Sequence, residues 1–317
     1  MQNMEDFNKT LSEKVAVIDK IIADRLPEVT GLQKLVFEAM EYSVTAGGKR
    51  IRPLLLKEAY ELFKGNECCV KSDAAACEKA DAADTDETVK VFMAALEYIH
   101  NYSLVHDDLP AMDNDMFRRN RKTTHAVYGA GMGTLTGDAL LNYAFEIIAD
   151  ELEKNMTIET VKSFNILSKK AGVYGMIGGQ VVDVSESGNA LNEEQIDFIY
   201  RLKTSALIEA PLMIGATLAG ASNEVVNEME TVGRNVGLAF QIQDDILDIT
   251  STDEVLGKPV HSDEKNEKTT FVTIHGLEES KKYVEDYSKE AIEIISKYGE
   301  KADFLKNLFY MMIDRKK

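Results

Sequence analysis

The chain has 317 residues, 28% of them charged, and a formal net charge of −18. A protein this acidic is repelled by nucleic acid and by anionic membrane surfaces, so neither is expected as a general partner. No apolar run approaches the roughly 20 residues of a membrane span and no signal-peptide pattern opens the chain, which predicts a cytoplasmic protein without a membrane span.

Residues 4–24 read as an amphipathic helix with Phe7, Leu11, Val15, Ile18 and Ile22 on one face, and a second helix is expected from about Leu32 to Thr45. Gly47-Gly48-Lys49-Arg50-Ile51-Arg52-Pro53 interrupts this pattern. Its glycines free the backbone to approach a ligand, and Lys49 and Arg52 can offer charge-assisted donors to phosphate oxygens, although a solvated basic loop reads the same way. Residues 65–88 are small, acidic and without apolar periodicity, which predicts an exposed loop. The three cysteines, Cys68, Cys69 and Cys77, sit there without His partners and read as reduced surface thiols.

From 89 to 109 the chain is apolar on nearly every face, the mark of a buried helix. Yet it ends in Asp107 and Asp108, with Asp113 and Asp115 just beyond. Buried carboxylates are costly unless paired or metal-bound, and a divalent cation is the obvious partner. Pro110 breaks the helical ladder, so a bend there can return Asp113 to Asp107. His100, Ser103 and Asp107 share one stripe of this helix, where His100 is either a ligand or a core histidine. Arg118, Arg119, Arg121 and Lys122 come next, and so close to an acidic cluster they read as phosphate recognition rather than a solvated face.

Gly129–Gly137 reads as a glycine-rich turn. Helices are expected at about 138–153, 158–175 and 194–220, the last carrying Lys203 and Thr204. A second mostly apolar helix, 236–249, places Gln241, Asp244, Asp245 and Asp248 on one face, with Asp244 and Asp248 a turn apart and able to share an ion. A charged loop at 251–270 and helices at about 278–298 and 302–314 complete the chain. Five prolines and no tryptophan, with few runs of period two, make the fold all-α. No linker divides the chain, so residues 1–317 are expected as one domain, a large helical bundle around a deep central cavity.

Together these pieces resemble the trans-isoprenyl diphosphate synthases, most closely the bacterial farnesyl diphosphate synthases. The resemblance is carried by Gly47 to Pro53, Asp107 to Asp113, Arg118-Arg119, Thr123-Thr-His125, Gly137-Asp-Ala139, Lys203-Thr204, Phe240-Gln241, Asp244 to Asp248 and Gly257-Lys258. It runs from about residue 35 to the C-terminus. It implies the isoprenoid synthase fold, a homodimer, and head-to-tail prenyl transfer using several Mg2+ ions at Asp107, Asp108, Asp113, Asp244, Asp245 and Asp248. It implies isopentenyl diphosphate at Gly48, Lys49, Arg52, His100 and Arg119, and an allylic diphosphate at Arg118, Lys203, Lys258 and Lys268. Thr204 and Gln241 would then turn dipoles toward the reacting carbon. Where the family has Gly and Pro, this chain has Asn120 and Lys122, which leaves the shape of that loop open.

Tyr102 and Ser103 precede the aspartates, where family members with short products carry bulk. Tyr102 lies five residues before Asp107, roughly 7.5 Å along a helix. It is expected as the floor that stops growth at the fifteen carbons of farnesyl diphosphate, with geranylgeranyl diphosphate synthesis as the alternative. A phosphohydrolase or terpene cyclase would not need the Gly-Gly-Lys site. A non-catalytic regulatory subunit would not need aspartates in both motifs.

Overall fold

The computed structural model describes residues 4–65, 82–250 and 269–313. It divides into two compact units, residues 1–57 with 71–164 and residues 58–70 with 165–317. Both are helical, and no helix among the described residues is long and apolar enough to cross a membrane. The three cysteines lie outside the described residues.

The first unit contains α1 (Met4–Ala23), α2 (Lys34–Val44), the start of α3 (Ile51–Phe63), α4 (Ala82–Asp107), α5 (Thr124–Tyr128), α6 (Ala130–Lys154) and the start of α7 (Ile158–Ala171). As its composition predicts, α4 is the buried axis: every residue from 91 to 99 is buried. Helix α6 packs along it. On α1, Phe7, Ile18 and Ile22 are buried, each such side chain contributing about 1.5–3 kcal/mol. The Tyr98 hydroxyl of α4 donates to the Ile22 carbonyl at 2.7 Å, which fixes the height of α1.

Between α2 and α3, Arg50 takes a positive φ of 47° and turns inward. Its Nε meets Asp19 at 2.7 Å, Nη1 meets Glu97 at 2.8 Å, and Nη2 donates to the Val44 carbonyl at 2.7 Å. Burial alone would lower its pKa, but the facing Glu97 and Asp19 carboxylates outweigh burial and raise it. Arg50 is therefore a structural cation inside the basic loop.

Three expectations need correction. The interruption at Gly47–Pro53 ends at Arg50, because Pro53 falls in the first turn of α3, where its missing N–H leaves no bond unmade. The exposed loop expected at 65–88 gives way to helix at Ala82. The glycine-rich stretch 129–137 is not a turn: only Gly129, with φ 86°, breaks the chain, and α6 starts at Ala130. Packing on α4 overrides the roughly 1 kcal/mol that each helical glycine costs.

The second unit holds α8 (Met176–Ser185), α9 (Glu193–Ile199), a π-helical turn (Tyr200–Ser205), α10 (Ala206–Leu218), α11 (Asn223–Thr250), α12 (Phe271–His275), α13 (Leu277–Ser296) and α14 (Asp303–Ile313). Helix α9 opens on a capping box: Gln195 N donates to Asn192 Oδ1 at 2.9 Å, and Asn192 N to Gln195 Oε1 at 3.0 Å. The helix expected at 194–220 runs without a break from Glu193 to Leu218, widened to π geometry at Tyr200–Ser205, and α10 is buried at every position. Its one acid, Glu209, is held by Lys170 and Arg234. Burial pushes the Glu209 carboxyl upward while Lys170 and Arg234 pull it back. Helix α11 packs on both α10 and α13, around a core that includes Ile196, Leu238, Ile242, Ile246 and Phe271.

Candidate active site

At the end of α4 the chain bends as Pro110 predicts. The Asp113 amide donates to the Asp107 carbonyl at 2.9 Å, and the Asn114 amide, with φ 55°, to the Leu109 carbonyl at 3.0 Å. Asp113 thus returns to Asp107, which it could not do on a straight helix. Asp107 is half-buried and Asp113 exposed. Asp108 faces the other way: it is 4% exposed and engages Arg118, with Nε at 2.8 and 3.1 Å from its two oxygens. Burial raises the Asp108 pKa and the Arg118 guanidinium opposes the rise. Thr123 and His125 close the loop by donating to the Asp115 carbonyl at 2.7 and 2.9 Å.

Arg118 and Arg119 sit on a small hairpin, β1 (Phe117–Arg118) and β2 (Arg121–Lys122), in which Arg118 pairs with Arg121. The loop residues Arg119 and Asn120 have φ of 52° and 60°, the geometry of a type I′ turn. Asn adopts it readily, so Asn120 does here what a glycine would do. Arg119 adopts it at a cost of about 1–2 kcal/mol. Its Nη1 donates to the Gly47 carbonyl, and a Cβ on Gly48 would lie 2.8 Å from the same nitrogen. At φ 149° glycine is favoured here, and any larger residue would also push the guanidinium aside.

Beside this hairpin, Arg52 is half-buried and its Nε is buried without a hydrogen-bond partner. Burial pushes its pKa down to about 10, and the Arg119 charge pushes in the same direction against Glu97. His100 lies among these cations. Burial, then Arg52, Arg119, Arg118 and Arg50, drive its pKa well below the usual imidazole value, so it is neutral. Lys49 is exposed on the turn before α3. The first unit therefore gathers Gly48, Arg52, His100 and Arg119.

In the second unit, Lys203 and Thr204 lie on the π-helical turn, a widening that frequently marks functional sites. With Gln241, Asp244, Asp245 and Asp248 they line one pocket. Thr204 Oγ1 donates to Gln241 Oε1 at 2.9 Å, and Gln241 Nε2 donates to Asp245 Oδ1 at 3.4 Å. Asp245, an acceptor only, thereby sets which way the amide points. The other oxygen of Asp245 accepts from the Tyr200 hydroxyl at 2.5 Å and the Phe271 amide at 3.1 Å. In each cluster the second aspartate of the Asp-Asp pair is thus engaged by protein donors. Lys258 and Lys268 lie outside the described residues.

Tyr102 is 5% exposed, and its hydroxyl is buried without a partner. Its ring meets His106 edge-on, centroids 5.8 Å apart, and His106 is tied to the Thr134 carbonyl at 3.0 Å. The Ser103 hydroxyl turns back to the His100 carbonyl at 2.9 Å.

Sequence reasoning missed Tyr42, Tyr200 and Asp183. Tyr42 holds the hairpin through its hydroxyl on the Lys122 carbonyl, 2.8 Å, and its ring under Arg121, 3.7 Å. Nothing in the spacing announces this contact, which joins residues 80 apart. For Asp183 a signal existed: it lies one helical turn after Gly179, on the same face.

The polyprenyl synthetase family model matches residues 33–312. Geranylgeranyl diphosphate synthase of Cyanophora paradoxa is 40% identical over 293 residues, 92% of this chain and 91% of that protein. Farnesyl diphosphate synthase of Geobacillus stearothermophilus is 37% identical over 269 residues, 84% of each. A geranyltransferase from Helicobacter pylori, solved with magnesium and isoprenyl diphosphate, superposes with a TM-score of 0.77 at 29% identity, covering 96% of both chains. With its helical units and their two aspartate motifs, the chain belongs to the polyprenyl synthetase family of trans-prenyltransferases and has the isoprenoid synthase fold.

Proposed function

We propose that this chain is a Mg2+-dependent farnesyl diphosphate synthase, a single catalytic domain that condenses isopentenyl diphosphate with dimethylallyl and then geranyl diphosphate. The observation that carries diphosphate binding is the grouping of Arg52 and Arg119 around a neutral His100. Like charges gathered in a half-buried place are costly unless an anion joins them. Arg52, with a buried donor left over, waits for such an anion.

Carboxylates suit Mg2+, a hard cation that takes oxygen ligands. Among the described residues no three carboxylates or imidazoles are close enough to hold an ion by themselves. In this reading Asp107, Asp113, Asp244 and Asp248 hold Mg2+ jointly with diphosphate oxygens. When bound, the metal stabilises charge on the departing pyrophosphate. The magnesium and isoprenyl diphosphate of the Helicobacter relative support this assignment.

The protein's own groups do the rest. Arg118, Lys203, Lys258 and Lys268 add positive charge at the leaving group. Gln241 and Thr204 present oxygen dipoles to an allylic cation without offering a strong nucleophile. Gly48, Lys49, Arg52, His100 and Arg119 hold isopentenyl diphosphate so that its double bond attacks. No side chain in these motifs is an evident base for the final proton, which leaves the released pyrophosphate as acceptor.

Tyr102 supports the fifteen-carbon product, since a buried, braced aromatic is a rigid stop. The 40% identity to a geranylgeranyl diphosphate synthase favours twenty carbons as the second reading. Incubation with labelled isopentenyl diphosphate and each allylic primer, followed by chain-length analysis, decides between them. A homodimer belongs to the same reading and is checked by light scattering.

A further inference from the structure

The contact between Asp183 and Lys203 carries an inference that rests on the prenyl-transfer reading above. Helix α8 presents Gly179 and Asp183 on one face, a turn apart. A Cβ on Gly179 would lie 2.3 Å from the Lys203 amide nitrogen and 2.9 Å from its Cα. The glycine therefore lets α8 press directly on the backbone of the π-helical turn. One turn further on, the Asp183 carboxylate pairs with the Lys203 ammonium. Both side chains are largely buried, at 13% and 29% exposure.

The pocket gives this pairing its meaning. Lys203 shares it with Asp183, Asp244, Asp245 and Asp248, so a flexible lysine has several carboxylates to choose among. Its long stem has many rotamers to lose. Asp183, on a different helix from the aspartates of α11, selects one arrangement. We propose that Asp183 is a positioning residue for Lys203, and that α8 sets the lysine twice, its backbone through Gly179 and its ammonium through Asp183. An ammonium has three N–H donors. Lys203 can keep one on Asp183 and direct the others to the allylic diphosphate, so the tether need not break when substrate arrives.

The test is a double-mutant cycle on steady-state kinetics, using D183A, K203A, D183A/K203A and D183N, with geranyl and isopentenyl diphosphate varied in turn. D183A is expected to lower kcat/KM for geranyl diphosphate by on the order of 10–100-fold, with the KM for isopentenyl diphosphate unchanged. The double variant should be no worse than K203A. D183N, which keeps an acceptor oxygen, should recover part of the loss. Melting temperatures of all variants are measured alongside, and D183N carries the test if D183A does not fold. An active wild type in which the losses multiply, or in which both substrates weaken together, overturns the positioning role alone. A wild type that transfers no prenyl group overturns the underlying reading and this inference with it.

Discussion

Arg118 grips Asp108 through two nitrogens, with Nε at 2.8 Å and Nη2 at 2.7 Å from the same carboxylate oxygen and Nε at 3.1 Å from the other. The aspartate is buried and the arginine about one-third exposed. A carboxylate so engaged holds the basic hairpin in place, and its neighbour Asp107 points along a different direction of the helix. The two therefore respond differently to mutation. Asp107→Ala and Asp244→Ala should each lower kcat by roughly 10²-fold or more with little change in melting temperature. Asp108→Ala leaves Arg118 only its 3.9 Å contact with Asp115 and should cost about 1–3 kcal/mol of stability. Kinetics in saturating Mg2+, beside thermal melts, check the contrast. Near-normal turnover in Asp107→Ala would remove the metal assignment.

The two groups of cations should separate by substrate. Arg52→Ala is expected to raise the KM for isopentenyl diphosphate about 10-fold or more while sparing the allylic substrate, and Lys203→Ala to do the reverse. Titrating each substrate against each variant measures this. Equal losses for both substrates in both variants would end the division of labour.

The neutral state of His100 has a consequence for stability. Its folded pKa lies below the unfolded value, because burial and then the surrounding arginines disfavour the imidazolium. Between the two values the unfolded chain binds more protons, so stability rises with pH there. The contribution is complete above about pH 6.5 and is lost as pH falls toward the folded pKa. In the ligand-free protein the melting temperature should fall from pH 7 to pH 5.5, and His100→Gln should flatten that fall. An unchanged slope in His100→Gln would assign the effect to other groups.

The Tyr102 hydroxyl, buried and unpartnered, separates packing from product length. Tyr102→Phe removes the unsatisfied group and should be neutral or stabilising by up to about 1 kcal/mol, with the same product. Tyr102→Ala should cost about 3–5 kcal/mol and lengthen the product to twenty carbons or more. Chromatography of the dephosphorylated products reads this out, and an unchanged fifteen-carbon product from an active Tyr102→Ala enzyme would place the stop elsewhere.

The type I′ turn predicts its own substitutions. Asn120→Gly should leave stability within a few tenths of a kcal/mol, whereas Asn120→Val, β-branched at a positive φ, should cost about 1–2 kcal/mol. Thermal melts of the two variants decide it.

Much of this was legible in the sequence because it depends on local pattern. An apolar run without a polar face announced the buried α4, and Pro110 announced the bend that returns Asp113 to Asp107. The basic residues stood out by charge. The hidden parts depend on tertiary contacts. Helix α10 is buried all round because Glu209 finds Lys170 and Arg234, and an isolated Glu in a window cannot show its partners. The glycines after Gly129 looked like a turn because propensity is local, while their helical state comes from packing on α4. Arg50 carried no assigned role in the basic loop, and only tertiary contacts show that Asp19 and Glu97 take it.

The π-helical turn at Tyr200–Ser205 has a consequence for how this chain tolerates length changes. Such a turn holds one residue more than a regular α-helix needs for the same rise. Deleting one residue within it would let the backbone return to ordinary α-helical bonding through to α10. The flanking helices would keep their phase, but the side chains within the turn would take new directions. A chain shortened there gains a better helix and loses the side-chain directions of Lys203 and Thr204. A library of single deletions scored separately for folding and for turnover should show the two readouts part at this turn.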